Sequence, residues 1–359
     1  MMRTNTFLLY GANGYTGELI ARYAAQYDLI PLLAGRRKEY IEPLAKKLNL
    51  SYRIFDLDDK NVLETVLKEV KLVVHAAGPF LYTAKQMVEA CLQTGVHYID
   101  INGDISVFEM IKQYDIAAKK TGIMLLSGAG FDVVPTDCAA LQLKKLLPDA
   151  VSLQLAFASA GGGLSHGTAT TMASRLGEKA LIRKDGKLVS VALGKKGMWI
   201  DFFNGSENAD KRLFVMNIPW GDISTAYVTT GIPNIETFAG VAPKIVTVLK
   251  FQFLFNWLLR TKFIRRYIKN KIDKRPAGPG DEQRTKSKSF IWGQATNTKG
   301  EKVTVRLSGP DGYTLTTHAS LIIAKKILNG SFVAGYQTPA QAYGENLVME
   351  IEGVQRVTG

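Results

Sequence analysis

The sequence predicts an α/β protein in which an N-terminal doubly wound parallel sheet is followed by a second α+β domain of mainly antiparallel strands. Three observations lead there. Short apolar runs alternate with helix-forming stretches through residues 1–127, the pattern of a parallel sheet covered on both faces. The first run, Phe7-Leu8-Leu9-Tyr10, breaks into Gly11-Ala12-Asn13-Gly14-Tyr15-Thr16-Gly17, with three glycines at a spacing of three, before helix formers resume over 18–27. Past Ser127 the alternation is lost, and strands at 151–158, 187–201, 223–229 and 301–308 are expected with few helices between them.

The glycine run reads as strand, tight turn and helix N-terminus, where backbone N–H groups hold a pyrophosphate. Its spacing, Gly-x-x-Gly-x-x-Gly, matches the commonest dinucleotide fingerprint only in part. Placed as the first βαβ unit of a Rossmann-like domain, it assigns Gly11, Ala12, Asn13, Gly14, Tyr15, Thr16 and Gly17 to the cofactor. A second strand at 29–34 ends in Gly35-Arg36-Arg37. An acidic residue there would favour NAD. Two arginines suit a 2′-phosphate through charge-assisted bonds, so NADP(H) is the expected cofactor.

A helix is expected at 40–48 and a third strand at 52–56, where Asp56 either meets the adenine amino group or caps the helix at 61–68. The fourth strand, from Lys71, opens into Ala76-Ala77-Gly78-Pro79-Phe80, small residues that let the backbone approach the cofactor at the carboxyl edge of the sheet. His75, within that apolar strand, reads as a packed core residue. Helices at 85–95 and 108–121 and strands at 97–101 and 123–127 complete the first domain, 1–127. The second domain is expected over 128–314, with helices at 138–146 and 168–180 and a Pro-, Gly- and charge-rich linker at 274–288. The last helix, 315–328, begins a segment, 315–359, that packs back on the first domain.

Composition bounds the function. A chain of 359 residues with 46% hydrophobic and 21% charged residues is an ordinary globular protein of two domains. Its two cysteines, Cys91 and Cys138, form no ligand spacing, which excludes a disulfide framework and gives no metal site. The six residues before the first strand are too short for a signal peptide, so a cytoplasmic location is expected. The net charge of +13 is local: eight basic residues and no acidic ones lie between Val241 and Ile272, leaving +5 elsewhere. That distribution argues against nucleic acid. The aromatic, apolar and cationic segment 245–272 suits peripheral contact with anionic lipid, or else a homodimer or interdomain interface.

The chain resembles the saccharopine dehydrogenase-like oxidoreductases, including their trans-acting enoyl reductase branch. The resemblance rests on the glycine run, on Ala76-Ala77-Gly78-Pro79-Phe80, Tyr98-Ile99-Asp100-Ile101-Asn102-Gly103-Asp104 and Gly130-Phe131-Asp132-Val133-Val134-Pro135-Thr136-Asp137. Ser165-His166-Gly167-Thr168, Pro219-Trp220-Gly221-Asp222, Gly309-Pro310-Asp311-Gly312-Tyr313 and Thr338-Pro339-Ala340 carry it almost to the C-terminus. It implies an NADP(H)-dependent oxidoreductase acting on a small molecule, either an acyl or polyketide-like enoyl substrate, lipid-like in character, or an imine or amino acid. A cofactor-binding sensor or membrane-associated binding protein without turnover is the alternative from another class.

No catalytic constellation is decisive. Asp132, at the end of the sixth strand's exit, is the first candidate for an orienter or proton relay, with turn capping as its other use. Ser165 and His166, after the Gly161-Gly162-Gly163 turn, could bring a hydroxyl and an imidazole on a mobile element. Cys138 reads as a packed helix residue, and the Tyr267–Lys271 pair as chance.

Overall fold

The computed structural model describes residues 5–174, 179–193, 196–203, 212–243, 261–274 and 276–358. The chain divides into two compact units, Met1–Val134 with Tyr313–Gly344, and Pro135–Gly312 with Glu345–Gly359. The division thus falls after Val134 rather than at Ser127, and 345–359 group with the second unit, where the strand Gln355–Thr358 pairs with its sheet.

In the first unit lie β1 (Thr6–Tyr10), β2 (Ile30–Gly35), β3 (Tyr52–Ile54), β4 (Leu72–His75), β5 (His97–Asp100), β6 (Met124–Leu126) and a late strand, Gly335–Gln337. They form a parallel sheet in the order Gly335–Gln337, β6, β5, β4, β1, β2, β3. Leu8, Leu9, Leu33, Val73, Val74, Ile99 and Leu125 are wholly buried, as uninterrupted apolar strands must be when helices cover both faces. Those helices include α1 (Tyr15–Tyr23), α2 (Lys38–Leu48), α3 (Lys60–Leu67), α4 (Phe80–Thr94), α5 (Ile105–Lys112) and α6 (Asp115–Thr121). The chain runs outward from β1 through β2 to β3 on one side and from β4 to β6 on the other. The topological switch point therefore lies between β1 and β4, beyond whose carboxyl ends ligands bind in such sheets.

The second unit opens with α7 (Val134–Leu146), which crosses the division, and β7 (Ser152–Ala160), followed by α8 (His166–Ser174). Strands β8 (Ala180–Lys184), β9 (Lys187–Val191), β10 (Gly197–Ile200) and β11 (Leu213–Asn217) precede α9 (Asp222–Thr230), β12 (Asn234–Gly240), β13 (Lys288–Thr296) and β14 (Lys302–Pro310). The sheet is antiparallel except where β12 runs parallel to β7. One face buries Ala156, Ala158, Val215, Phe238 and Trp292 in a common cluster. On the other, Gly293 admits Leu143 of α7, because a Cβ there would stand 2.8 Å from its Cδ1.

Several expected elements differ. The segment 223–229 is not a strand but lies in α9, despite the β-branched residues that favour one. The hydroxyls of Thr225 and Thr230 donate to the carbonyls of Gly221 and Ala226, so these residues are buried within a helix without orphaned polar groups. Gly231, at φ 69°, ends it. The strand expected over 187–201 is two, since β9 pairs with β8 and β10 with β11. The helix expected over 168–180 spans His166–Ser174 instead, and Ala180 already belongs to β8. The linker 274–288 contains a helix, Asp281–Lys286, that buries Arg284 against Asp281. Most of 245–272 lies outside the described residues. Its described end is the helix Lys262–Asp273.

Candidate nucleotide-binding site

The glycine turn sits at the switch point, and two of its glycines are required by space. Gly11 has φ +88°, and a Cβ on it would lie 2.7 Å from the main chain of Ala76 and Ala77. A Cβ on Gly17 would run into the carbonyl of Gly11. The turn is thus pressed between the exit of β4 and the start of α1. It is also tied to β2, since the N–H groups of Gly11 and Ala12 donate to the Ala34 carbonyl at 2.8 and 3.2 Å. Asn13 reaches toward Gly35, and the Tyr15 ring stands edge-on to Tyr313 at 5.0 Å. Gly14 caps α1 in extended conformation with no side-chain cap hydrogen bond. The main-chain N–H groups of the first turn and the helix dipole at that cap favour an anion. The residues therefore fit a pyrophosphate.

At the ends of β2 and β3 the register sets Gly35 beside Ile54, which brings the residues that follow each strand to one edge. Arg36 and Asp56 form an exposed ion pair there at 3.7 Å. The Arg37 guanidinium lies over the Tyr40 ring, 4.3 Å from its centroid.

The exit of β4 is held from beneath. His75 is fully buried, its ring stacked on Tyr10 and edge-on to Phe80. Its Nε2 lies 3.0 Å from the Thr83 hydroxyl, which donates in turn to the Ala77 carbonyl at 2.8 Å. The hydroxyl proton is used on Ala77, so Nε2 carries the imidazole proton and donates it. Burial holds His75 neutral, its pKa lowered to about 3. Helix α4 begins at Phe80, not 85, so Thr83 falls in its first turn, where it reaches back to the loop. Ala76, Ala77 and Phe80 are half-buried, while Gly78 and Pro79 are exposed.

The exits of β5 and β6 are tied together by Asp100, to which the sequence alone gives no role. Asp100 is fully buried. One carboxylate oxygen accepts from the Tyr98 and Ser127 hydroxyls, the other from the main-chain N–H groups of Asn102 and Gly128 and the Asn102 amide. Burial raises its pKa and those bonds oppose the shift. With both loops fixed, Asp132 packs against Gly103, where any Cβ would overlap the carboxylate. The Phe131 N–H donates to Thr316, which pins the same loop to the helix Gly312–Leu328. Asp132 is half-buried at the carboxyl edge of the sheet, in the turn before α7.

Ser165 and His166 lie in the second unit. The Ser165 hydroxyl accepts from the Thr168 N–H at 3.2 Å and stands 3.1 Å from its hydroxyl, so it caps α8. The Ser-x-x-Thr spacing before a helix was a signal for that use. Cys138 is buried and its thiol is pushed far up by desolvation, which is a packed residue's environment rather than a nucleophile's. Lys271 lies over the Tyr267 ring, 4.8 Å from its centroid, on an exposed helix face. Among the described residues there is no His, Cys, Asp or Glu cluster able to hold a metal, and no helix long and apolar enough to cross a membrane.

A parallel sheet with a glycine turn at its switch point, a helix N-terminus capped by glycine alone and two arginines after the next strand is the arrangement of a dinucleotide-binding α/β protein. Residues 7–126 match the saccharopine dehydrogenase NADP binding domain. A saccharopine dehydrogenase-like oxidoreductase of Mus musculus is 26% identical over 203 residues, covering 49% of this chain and 47% of the relative. The trans-acting enoyl reductase of Mycobacterium leprae (strain TN) is 28% identical over 144 residues, covering 38% of this chain and 34% of its own. The chain spans about half the length, or less, of these curated relatives. Apo saccharopine dehydrogenase (L-Glu forming) from Saccharomyces cerevisiae has the same fold, with a TM-score of 0.69 at 13% identity over 99% of this chain and 100% of that one.

Proposed function

We propose that the protein is an NADP(H)-dependent oxidoreductase that reduces an enoyl group on an acyl or polyketide-like small molecule. The cofactor reading is carried by one observation: the match of 7–126 to an NADP binding domain, at a glycine cradle built as a pyrophosphate needs. In this reading Gly11 to Gly17 hold the pyrophosphate, and Arg36 and Arg37 meet the 2′-phosphate. Ala76, Ala77, Gly78, Pro79 and Phe80 border the nicotinamide with Asn102 to Asp104 and Ser127 to Asp132. Bound there, NADPH would supply the hydride for one carbon of the double bond, while the other carbon would take a proton. Asp132, held on Gly103 at this edge, orients or relays that proton. Ser165 and His166 rank after it, since the Ser165 hydroxyl is engaged as a cap.

The enoyl substrate is favoured by the likeness to the mycobacterial enzyme and by the apolar segment 245–272, whose described end exposes Phe263 and Tyr267 beside Arg266 and Lys271. The same segment suits a peripheral lipid surface. Reduction of an imine or amino acid is the second reading, favoured by the fold shared with the yeast enzyme. NADPH oxidation against enoyl thioesters, and against imine-forming pairs of a keto acid and an amino acid, tests the three outcomes. Turnover with thioesters alone supports the proposal. Turnover with imines alone moves the protein to the second reading, and tight NADPH binding with no oxidation makes it a sensor. Flotation with anionic but not neutral liposomes at low salt is expected if the segment meets lipid.

A further inference from the structure

Arg36 and Asp56 sit side by side at the edge where the proposed 2′-phosphate would arrive, and their geometry gives the acid a role opposite to cofactor holding. The gap of 3.7 Å is too long for a hydrogen bond, and the two side chains are 70% and 49% exposed, so the pair is loose and open to exchange. Asp56 is nevertheless fixed in place, because its other oxygen accepts the Asp58 N–H and the Phe55 N–H is tied to the Gly35 carbonyl of β2. Arg37 is engaged differently. It lies over the face of Tyr40, a contact that uses its charge but leaves its N–H edge for an acceptor.

We propose that Asp56 is a specificity-determining residue that restrains binding of a 2′-phosphorylated adenosine by competing for Arg36. This inference rests on the reading that Arg36 and Arg37 receive the 2′-phosphate. A phosphate that reaches Arg36 must displace or share the Asp56 carboxylate, and a dianion beside that carboxylate is repelled. An adenosine with a free 2′-hydroxyl brings no such charge. The opposite use of Asp56, accepting from the adenine amino group, helps both nucleotides alike, so the two roles differ in sign.

The test is Asp56→Asn, with Asp56→Glu as the charge-preserving control. Asparagine keeps an oxygen for the Asp58 N–H, and the site is exposed, so folding should be that of the parent. Titration with NADPH, NADH, 2′-AMP and 5′-AMP is expected to give Asp56→Asn about three- to ten-fold tighter NADPH and 2′-AMP, NADH and 5′-AMP within about two-fold, and a gain that shrinks as salt rises. Asp56→Glu should show no gain. Equal weakening of NADPH and NADH would assign Asp56 to the adenine and overturn the proposal. So would unchanged affinities in a parent that prefers NADPH. A parent with no preference for NADPH would instead refute the arginine reading on which the inference stands.

Discussion

Replacing Thr83 by valine tests whether the His75–Thr83–Ala77 chain holds the cofactor edge together. The substitution keeps the side chain's shape and its β-branching, and removes only the hydroxyl. That hydroxyl accepts from His75 Nε2 and donates to Ala77. Since His75 is fully buried, its N–H would be left without a partner, at a cost of about 1–3 kcal/mol. Ala77 is only half-buried, so its carbonyl can take water instead, and the loss of this bond adds only about 0.5–1 kcal/mol. A total of about 1.5–4 kcal/mol is expected in urea unfolding, read as a lower midpoint at constant slope. The main chain of Ala76 and Ala77 touches Gly11, so a loosened loop should also weaken NADPH several-fold. Thr83→Ser restores the hydroxyl and should recover both properties. If Thr83→Val matched the parent within about 0.5 kcal/mol and bound NADPH equally well, the chain would have no such role.

Arg36→Ala should remove most of any preference for NADPH over NADH, about ten-fold, in a fluorescence titration, with NADH affinity unchanged. Asp132→Asn keeps the shape while removing the charge. It should lower turnover by about ten-fold or more with NADPH affinity and melting temperature nearly constant, whereas a lowered melting temperature with turnover intact would mark a capping role. Burial lowers the pKa of His75 to about 3 and that of His97 to about 4, so both stay neutral in the folded protein. An unfolded chain takes up these protons near pH 6.5. Stability should therefore be full above that pH and fall as the pH drops through 6.5 toward 4, by about 1.4 kcal/mol per pH unit for each proton taken up. Urea midpoints that stay level between pH 7 and 5 would contradict this.

The sequence by itself determined the doubly wound sheet, because strands buried on both faces must be written as apolar runs, as the buried stretches of β1, β2, β4 and β6 are. It also determined the glycine turn, since Gly11 and Gly17 stand where no Cβ fits. What it could not decide is set by partners remote in the chain. Asp100 reads as a strand-end acid until Ser127 and Gly128 are folded beside it. Thr83 is an unremarked helix residue until His75 lies within reach. Asp56 carried two local readings, and only the pairing of β3 with β2 set it opposite Arg36. Local propensity misjudged α9, where β-branched residues are kept helical by hydroxyls bonded to their own backbone and by burial in the second unit. Periodicity and turn chemistry are local and are carried in the order of residues. The partner of a polar side chain at a strand end is decided by which strands become neighbours, and that is decided only when the sheet forms.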